Sequence, residues 1–226
     1  MKIAVFGTGM VGQALAGRLA ELGHQVTVGT RDVAATLART EPDGMGNPPY
    51  PQWATAHPEV SLTTFAAAVA GAELVVNATS GGVSLDALTA AGAENLAGKV
   101  LVDIANPLDF SQGFPPSLFV KDTDSLGERI QAAFPGLKVV KALNTLTAEL
   151  MVNPKALAGG QHTVFVAGDD AGAKRTVTEL LESFGHTDII DLGDITGARG
   201  TEMLLPVWLR LMGTLNTPMF QFKIVR

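Results

Sequence analysis

The sequence of 226 residues contains no cysteine. Disulfides, thiolate catalysis and cysteine-ligated metal sites are therefore excluded, and we assign no metal ligands. Because a chain without cysteine suits a reducing compartment, we expect a cytoplasmic protein.

Long apolar runs are also missing. The longest apolar region, residues 65–78, carries Glu73 and is shorter than the roughly 20 residues that span a bilayer. At the start of the chain, Gly7 interrupts the apolar run before it reaches the length of a signal-peptide core, about 7–15 residues. We therefore expect a soluble chain.

Neither sign of charge dominates the chain. It has 16 basic and 22 acidic residues, mixed along its length, and a net charge of -6. Such a chain has no broad basic surface for nucleic acid or for an anionic membrane. We expect no nucleic-acid or membrane partner, and an anionic small molecule would have to be bound by local charges.

Short β-branched runs alternate with alanine-rich helical patterns, which is typical of an α/β fold with a mostly parallel sheet. The pattern predicts strands at about 2–6, 25–29, 60–63, 73–78, 99–104, 138–142, 162–167 and 187–191. It predicts helices at about 10–22, 32–39, 64–71, 83–91, 124–133, 146–158 and 170–184.

Two long stretches, 41–59 and 106–124, are rich in proline and glycine and are predicted to be irregular. Loops of this length in a compact domain are usually functional or disordered. Their aromatic residues have two interpretations, as anchors of the loops or as parts of a lid over a substrate; these residues are Tyr50, Trp53, Phe110 and Phe114.

A glycine motif follows the first predicted strand. Gly7 permits a tight turn, Gly9 lets the backbone approach a pyrophosphate, and Gly12 lets the helix pack close to the sheet. The spacing alone is a weak signal, but here it lies between an apolar strand and an apolar-periodic helix. We predict a dinucleotide site that includes Gly7, Thr8, Gly9, Met10, Val11 and Gly12.

The tip of the second predicted strand reads Gly29-Thr30-Arg31. Proteins that select NAD place there an acidic residue, which binds the ribose 2′-hydroxyl and repels a 2′-phosphate. We expect Gly29 to leave room, and Thr30 and Arg31 to donate hydrogen bonds to the 2′-phosphate of NADP(H). The alternative is that Arg31 is a solvated residue at a helix start and Asp32 only its N-cap.

The carboxyl ends of the predicted strands supply small hydroxyl and amide groups at 77–82, 104–107 and 142–145. Ligands bind at this edge of an open parallel sheet. We expect His24, His162 and His186 to lie at the opposite edge, because each precedes a strand, and to be surface residues with satisfied hydrogen bonds. Of the histidines, His57 alone is expected to be able to reach the cleft.

A proton donor for carbonyl reduction is missing from this set. Tyr50 has Ala54 four residues later, so the Tyr-x-x-x-Lys arrangement of short-chain dehydrogenases is absent. The late stretch in which β-hydroxyacid dehydrogenases supply a lysine offers Glu202. Hydride transfer into a conjugated ring needs no such donor, which favours a flavin-like acceptor over a carbonyl.

Five segments of the chain carry a family resemblance: "MKIAVFGTGMVGQALAGRLAELGHQVTVGTRD", "VVNATSGG", "LVDIANPLD", "VVKALNTLTAELMVNP" and "LPVWLRLMGTLNTPMFQFKIVR". Through them the chain resembles the deazaflavin-dependent NADP oxidoreductases, which pass hydride between NADPH and coenzyme F-420. The resemblance implies an NADP-binding Rossmann domain, doubly wound, at 1–195, and a small helical C-terminal segment at 196–226. The insertion at 41–59 is longer than this family leads us to expect.

The resemblance also implies roles for single residues. Thr8, Thr30 and Arg31 would contact the NADP phosphates, and Asn106 and Asn144 would position the reacting rings. The remaining cofactor-binding and acceptor-lining set is Asn77, Ala78, Thr79, Ser80, Pro107 and Ala142. Two other functions stay open: an NADPH-dependent reductase of another acceptor, such as a quinone, a flavin or an imine-like substrate, and a non-catalytic NADP-sensing protein.

Residues 197–212 form a predicted helix that is apolar around most of its circumference. Such a helix must be buried, either in its own chain or against a second subunit. We expect Pro206 to kink or restart it, and we predict a homodimer.

Overall fold

The structure, a computed structural model, describes residues 1–43 and 46–226. Eight strands of the described residues form one sheet: β1 (Lys2–Phe6), β2 (Gln25–Thr30), β3 (Ser61–Thr64), β4 (Leu74–Asn77), β5 (Val100–Asp103), β8 (Lys138–Ala142), β9 (Thr163–Ala167) and β10 (Asp188–Asp191). Two short strands, β6 (Leu108–Asp109) and β7 (Ser117–Leu118), pair as an antiparallel hairpin.

The strand order is β10-β9-β8-β5-β4-β1-β2-β3. The six strands from β8 to β3 in this order are mutually parallel, whereas β9 is antiparallel to β8 and β10 is parallel to β9. The prediction of an α/β fold with a mostly parallel, Rossmann-like sheet is confirmed. The reversal of the last two strands was not predicted.

Eleven α-helices lie among the described residues: α1 (Met10–Glu21), α2 (Val33–Leu37), α3 (Tyr50–Ala56), α4 (Phe65–Ala70), α5 (Ser84–Ala91), α6 (Ala93–Leu96), α7 (Leu126–Ala133), α8 (Ala148–Val152), α9 (Ala171–Phe184), α10 (Ala198–Met203) and α11 (Leu205–Leu215). Short 3₁₀ turns occupy Gly81–Val83, Pro154–Ala156, Ala158–Gly160 and Ile195–Gly197.

Three predicted segments differ from the structure. One is the stretch 106–124, expected to be irregular, which contains the β6–β7 hairpin. The helix expected at 146–158 ends at Val152, because the residue before a proline, here Asn153, disfavours helical geometry. The stretch 41–59, expected to be irregular, contains α3, whose first turn carries Pro51, a position that proline suits. Residues 44 and 45 of that stretch lie outside the described residues.

Side chains alternate between the two faces of the sheet, as β-strand geometry requires. Ile3 and Val5 belong to a core with residues of α1, α8 and α9, whereas Ala4 and Phe6 belong to a second core with residues of α4, α5 and α7. Helices therefore cover both faces, and the carboxyl ends of the parallel strands remain the natural place for a ligand.

The late apolar helix is broken, as expected at Pro206. α10 ends at Met203 and α11 begins at Leu205, with Pro206 in its first turn. Of α11, Leu205, Trp208 and Leu209 are buried in the chain itself. The proposed division into 1–195 and 196–226 stays a prediction. The C-terminal tail is hydrogen bonded to the start of β9, since Thr163 N–H donates to Phe222 O at 3.0 Å.

Among the described residues, none of the helices has the length and apolarity needed to cross a membrane.

Candidate active site

The glycine turn joins β1 to α1 through close backbone contacts. Gly7 has φ +122°, and a Cβ there would lie 2.4 Å from the carbonyl oxygen of Ala78; a Cβ on Gly12 would lie 2.1 Å from the oxygen of Gly7. Gly9, in contrast, has nothing within 4 Å of its Cβ position. A side chain at Gly7 or Gly12 would thus clash with neighbouring backbone. Gly9, in contrast, leaves open space in front of the helix.

That open space adjoins the free amides at the start of α1. Gly9 is the N-cap of α1 and provides no side chain to satisfy them. Met10 and Val11, the first residues of the helix, are half-buried. Unsatisfied helix N-terminal amides bind phosphates well, so these residues fit the pyrophosphate of a dinucleotide.

Two arginines lie around the outer part of this turn. Arg31 is exposed just beyond β2, and Arg39 Nη1 donates to Thr8 Oγ1 at 2.9 Å. Sequence reasoning missed Arg39, which follows the end of α2 and is brought back to the glycine turn by the fold. The signal available was a second basic residue eight positions after Arg31, at the end of the predicted helix.

The contacts of Thr30 and Gly29 differ from those expected from the sequence. Thr30 is only 6% exposed, and its hydroxyl is hydrogen bonded to Thr36 Oγ1 at 2.8 Å. At Gly29 the missing side chain makes room for Phe6 and Phe65, which lie 3.0 and 3.1 Å from its Cβ position. The expectation that Gly29 leaves room for the cofactor is therefore wrong: the space it leaves is filled by the two phenylalanine rings.

Asp32 is the N-cap of α2, as the alternative interpretation of this segment held. Its carboxylate accepts the Ala35 N–H at 2.9 Å. Arg31 is exposed beside it and remains free to meet a phosphate, so capping by Asp32 and a cofactor role of Arg31 are compatible.

The loop after β4 is closed by hydroxyl and amide contacts. Asn77 Oδ1 accepts hydrogen bonds from Thr79 Oγ1 at 2.7 Å and from Thr79 N–H at 3.3 Å. Ser84 Oγ is 2.9 Å from Thr79 Oγ1 and donates to the Ser80 carbonyl at 3.2 Å. Thr79 is half-buried and Ser80 exposed, so the loop presents its 78–80 portion outward while Asn77 is buried.

Asn106 and Asn144 meet across the ends of β5 and β8. Asn106 Nδ2 donates to the Asn144 carbonyl at 2.8 Å, and Asn144 Nδ2 donates to Asn106 Oδ1 at 3.0 Å. A Cβ on Gly81 would lie 2.1 Å from the carbonyl oxygen of Asn106, so the loop after β4 also packs closely here. The structure therefore brings together three of the segments that the sequence placed in the cleft. Pro107 and Ala142 beside them are buried.

Leu143 precedes Asn144 with φ +59°, an uncommon conformation for a leucine. Its side chain is buried, at 2% exposure. Strained residues of this kind cluster at functional sites. The turn it makes after β8 directs the next residue, Asn144, toward Asn106.

A buried ion cluster lies just beneath these loops and was not anticipated. Lys141 Nζ lies 2.8 Å from Asp103 Oδ2 and 2.8 Å from Glu202 Oε1, and it also donates to the Ala105 carbonyl. All three charged residues are at most 1% exposed. Glu202, the residue that the late stretch offers where other dehydrogenases have a lysine, is buried and bound to Lys141 near the end of β8. Opposite charges at the ends of two apolar strands were the signal in the sequence, because buried charges must pair.

The surroundings of Lys141 favour its charged form. Burial by itself would lower its pKa, but the attraction and hydrogen bonds of Asp103 and Glu202 raise the pKa above its ordinary value. Glu202 in turn accepts the N–H groups of Leu126 and Gly127, at 2.8 and 3.1 Å, at the start of α7. The positive end of that helix offsets the second carboxylate.

The expected positions of His162 and His186 are wrong. Because β9 and β10 run opposite to the other strands, both residues lie at the carboxyl edge and not at the opposite edge. Both are buried, with Nε2 3.2 Å from the Pro154 carbonyl and 2.9 Å from the Met151 carbonyl, respectively. His24 precedes the parallel strand β2 and lies at the opposite edge, as expected.

His57 packs on α1 away from the glycine turn. Its ring is stacked on Trp53 with centroids 4.2 Å apart, and its Nδ1 is 2.9 Å from the Trp53 carbonyl. Its Nε2 is 3.3 Å from the Cβ position of Gly17, eight residues beyond the N-cap and thus about 12 Å along the helix. The fold thus places this histidine beside the middle of α1 and not at the carboxyl edge of the sheet.

The loop aromatics divide into two pairs. Tyr50 is 1% exposed in the core, where burial raises its pKa to about 12, and Trp53 is half-buried beside it. Phe110 and Phe114, on the β6–β7 hairpin, are 58% and 65% exposed. The first pair anchors α3, which excludes Tyr50 as a proton donor to a substrate.

Comparison with known proteins identifies the family. The family model described as "NADP oxidoreductase coenzyme F420-dependent" matches residues 2–107. A crystal structure at 1.70 Å resolution of a candidate F420-dependent NADP reductase from Arthrobacter sp. FB24 is 65% identical, covers 100% of both chains and gives a TM-score of 0.96. The chain belongs to the F420-dependent NADP oxidoreductase family. The resemblance found in the sequence is thereby confirmed.

More distant relatives differ in their acceptors. The chain is 27% identical to the F420-dependent NADP reductase of Methanothermobacter marburgensis, over 93% of this chain and 92% of that protein. It is 31% identical to the metalloreductase STEAP3 of Rattus norvegicus over 92% of this chain, but it spans only 38% of that protein. The family is thus one of NADP-dependent oxidoreductases.

Proposed function

We propose that this protein transfers hydride between NADPH and a deazaflavin acceptor of the coenzyme F-420 type. The observation that carries the proposal is the chemistry of the carboxyl edge. Asp103 and Lys141 are ionisable residues of the central strand ends, and both are buried and bound to each other. Among the described residues of the loops after β4, β5 and β8, the groups offered outward are amides, hydroxyls and backbone.

Such an edge suits a reaction without an obligatory proton donor. NADPH, when bound, supplies a hydride from C4 of its nicotinamide to the central ring carbon of the deazaflavin. The fixed backbone and amide donors of this edge would stabilise the charge that a conjugated acceptor ring takes up. Reduction of an isolated carbonyl would require a placed acid at the same position.

The chain's own residues would act by binding and orienting. The amides at the start of α1 and Thr8 would hold the pyrophosphate, and Arg31 and Arg39 the 2′-phosphate. The 77–80 loop, Pro107, Ala142 and the Asn106–Asn144 pair would orient the nicotinamide. These residues would contribute to the rate by holding the reacting carbons of the two rings about 3–3.5 Å apart.

The β6–β7 hairpin supplies an apolar surface next to this position. Phe110, Phe114 and Phe119 are each at least 40% exposed, and the Phe119 N–H donates to the Pro107 carbonyl at 2.9 Å. Exposed aromatic side chains directly after Asn106 and Pro107 suit a flat ring, and they support the interpretation of Phe110 and Phe114 as parts of a lid.

A second candidate function is NADPH-dependent reduction of another acceptor, such as a quinone, a flavin or an imine-like substrate. The observation that favours it is the 31% identity to a metalloreductase over 92% of this chain. The two functions share the cofactor half of the site and differ only in the acceptor.

The test is NADPH oxidation followed at 340 nm with coenzyme F-420, FMN, FAD and a quinone in parallel. Turnover with F-420 at least 100-fold more efficient than with the other acceptors supports the proposal. Preference for a flavin or quinone favours the second candidate. Tight NADPH binding without turnover on any acceptor supports a non-catalytic sensor and contradicts both.

We also propose a homodimer. Met203, Val207 and Leu215 recur at helical spacing along α10 and α11 and are 39%, 45% and 51% exposed. An apolar stripe of this kind suits burial against a second copy. The cytoplasmic location expected from the lack of cysteine also stays a prediction.

A further inference from the structure

A row of polar side chains crosses the buried part of the sheet. Asn77, Asp103 and Lys141 are register partners on β4, β5 and β8 and stand side by side. Because neighbouring residues in register point to the same face of a sheet, their side chains form one line. Asn77 and Asp103 are 0% exposed and Lys141 is 1% exposed, so this row contacts neither solvent nor substrate.

Every donor of the Lys141 ammonium is used. It binds Asp103 Oδ2, Glu202 Oε1 and the Ala105 carbonyl, and an ammonium has three N–H groups. The contact with Ala105 is the one that reaches the backbone of the loop after β5. The next residue in that loop is Asn106, which is paired with Asn144.

Asp103 links Lys141 to the loop after β4 through hydrogen bonds. Its second oxygen, Oδ1, accepts Asn77 Nδ2 at 2.8 Å and the Ala105 N–H at 3.4 Å. With its amide nitrogen held in this way, Asn77 turns its Oδ1 toward Thr79, which donates to it through both N–H and Oγ1. A single buried carboxylate therefore fixes the orientation of Asn77 and of both following turns.

Stability alone does not explain such a cluster. Replacing a buried ion pair by well-packed apolar residues is often neutral or stabilising, since desolvation of the charges offsets their attraction. Apolar side chains, however, could not hold the Ala105 carbonyl or orient the Asn77 amide. The contacts that would be lost are those that lead to the cleft.

We propose that Lys141 is a positioning residue which, through Asp103, Ala105 and Asn77, fixes the loops that hold the nicotinamide against the acceptor ring. The proposal rests on the proposed function in one respect, the placement of the nicotinamide at these loops. Lys141 is proposed to affect binding of the nicotinamide half of the cofactor. Binding of the adenosine half, at Arg31 and Thr8, should not depend on it.

The test separates the two halves of the cofactor. Binding of 2′,5′-ADP, which has the adenosine half alone, is compared with binding of NADPH by calorimetry. The variants are Lys141→Met and the charge-balanced Lys141→Met/Asp103→Asn, in which Glu202 keeps its bonds to the start of α7. Lys138→Met is the matched control, because Lys138 is on the same strand but forms an exposed pair with Asp170 at 3.1 Å.

We expect the 2′,5′-ADP affinity of the double variant to stay within about twofold of the unaltered protein, while the NADPH affinity falls about 10-fold. The kcat for hydride transfer should fall about 10- to 100-fold, with a smaller change in the KM for the acceptor. Fluorescence of bound NADPH should shift toward that of the free cofactor, since the ring is held less firmly. Lys138→Met should change none of these quantities more than about twofold.

Equal changes in the two affinities, or no change in either, in a folded double variant would overturn the proposal and leave the cluster a purely structural element. If Lys141→Met does not fold, the affinities of the double variant alone test the proposal. Because both affinities are measured without an acceptor, a failure of the F-420 assignment is distinguishable. In that case turnover with F-420 is absent while the difference between 2′,5′-ADP and NADPH persists.

Discussion

Asn106 and Asn144 join the ends of β5 and β8 by two hydrogen bonds, at 2.8 and 3.0 Å, that run in opposite directions. Each residue supplies a donor to the other, and Asn144 is only 4% exposed. The pair closes the floor of the cleft on which we expect the nicotinamide to lie, so the first prediction concerns its removal.

Replacing Asn144 with alanine should lower kcat about 100-fold, because small displacements of reacting groups can cost about that much. It also leaves the side-chain oxygen Oδ1 of Asn106 without its donor, at a cost of about 1–3 kcal/mol in unfolding free energy. Steady-state kinetics and urea denaturation measure the two effects. Asn153→Ala is the control, since its exposed side-chain amide donates to Glu149 Oε1 at 3.0 Å, away from the Asn106–Asn144 pair. A change in kcat below tenfold would contradict a ring-positioning role.

Arg31→Ala should weaken NADPH binding about 10-fold or more and leave NADH binding nearly unchanged, because only NADPH carries the 2′-phosphate. Arg39→Ala should act in the same direction. Dissociation constants for both cofactors measure the effect, with Arg175→Ala, an exposed arginine on α9, as the control. Equal losses for NADPH and NADH would remove the assignment of Arg31 to the 2′-phosphate.

His57→Ala should lower kcat less than about tenfold, because the ring packs between Trp53 and α1 and not at the carboxyl edge. Some loss of stability is expected from the lost stacking on Trp53. The measurement is kcat together with NADPH affinity. Loss of turnover with unchanged NADPH binding would favour a carbonyl-type acceptor that needs a proton donor.

Stability should fall as the pH is lowered from about 6.5 to 4. Burial lowers the pKa of His186 to about 4, reinforced by His162 and partly opposed by the hydrogen bond to the Met151 carbonyl. Since the unfolded chain binds a proton near pH 6.5 and the folded chain only near pH 4, this stability is present above 6.5 and lost in between. The loss amounts to about 3 kcal/mol from this residue.

The His186→Gln variant tests that account, because glutamine keeps an N–H donor for the Met151 carbonyl and does not titrate. Urea denaturation at pH 7.5 and pH 4.5 should show a smaller difference for the variant than for the unaltered protein. An identical pH dependence in both proteins would place the sensitivity elsewhere.

Val207→Asp should shift a dimer toward monomer, because it introduces a charge into the exposed apolar stripe of α10 and α11. Sedimentation velocity at micromolar concentration measures the change, with Arg175→Ala, an exposed residue on α9, as the control. A monomer already in the unaltered protein would contradict the dimer.

The positions of the eight sheet strands and of the glycine turn were predictable from the sequence. Hydrophobic periodicity and glycine spacing are local properties, and each is imposed by the backbone geometry of a few consecutive residues. The same holds for the restart of the late helix at Pro206, since proline lacks the N–H that a continuous helix requires. The residues named for the cleft were found because carboxyl ends of parallel strands meet at one edge.

The direction of β9 and β10 was decided only by the tertiary structure. Whether a strand runs parallel or antiparallel depends on its long-range partner, and the short strand patterns at 163–167 and 188–191 are the same in both cases. That reversal moves His162 and His186 to the carboxyl edge. Likewise, the meeting of Lys141 with Asp103 and Glu202, and of Arg39 with Thr8, joins residues 38, 61 and 31 positions apart. No local pattern specifies such pairs, because they exist only once packing has brought separate elements together.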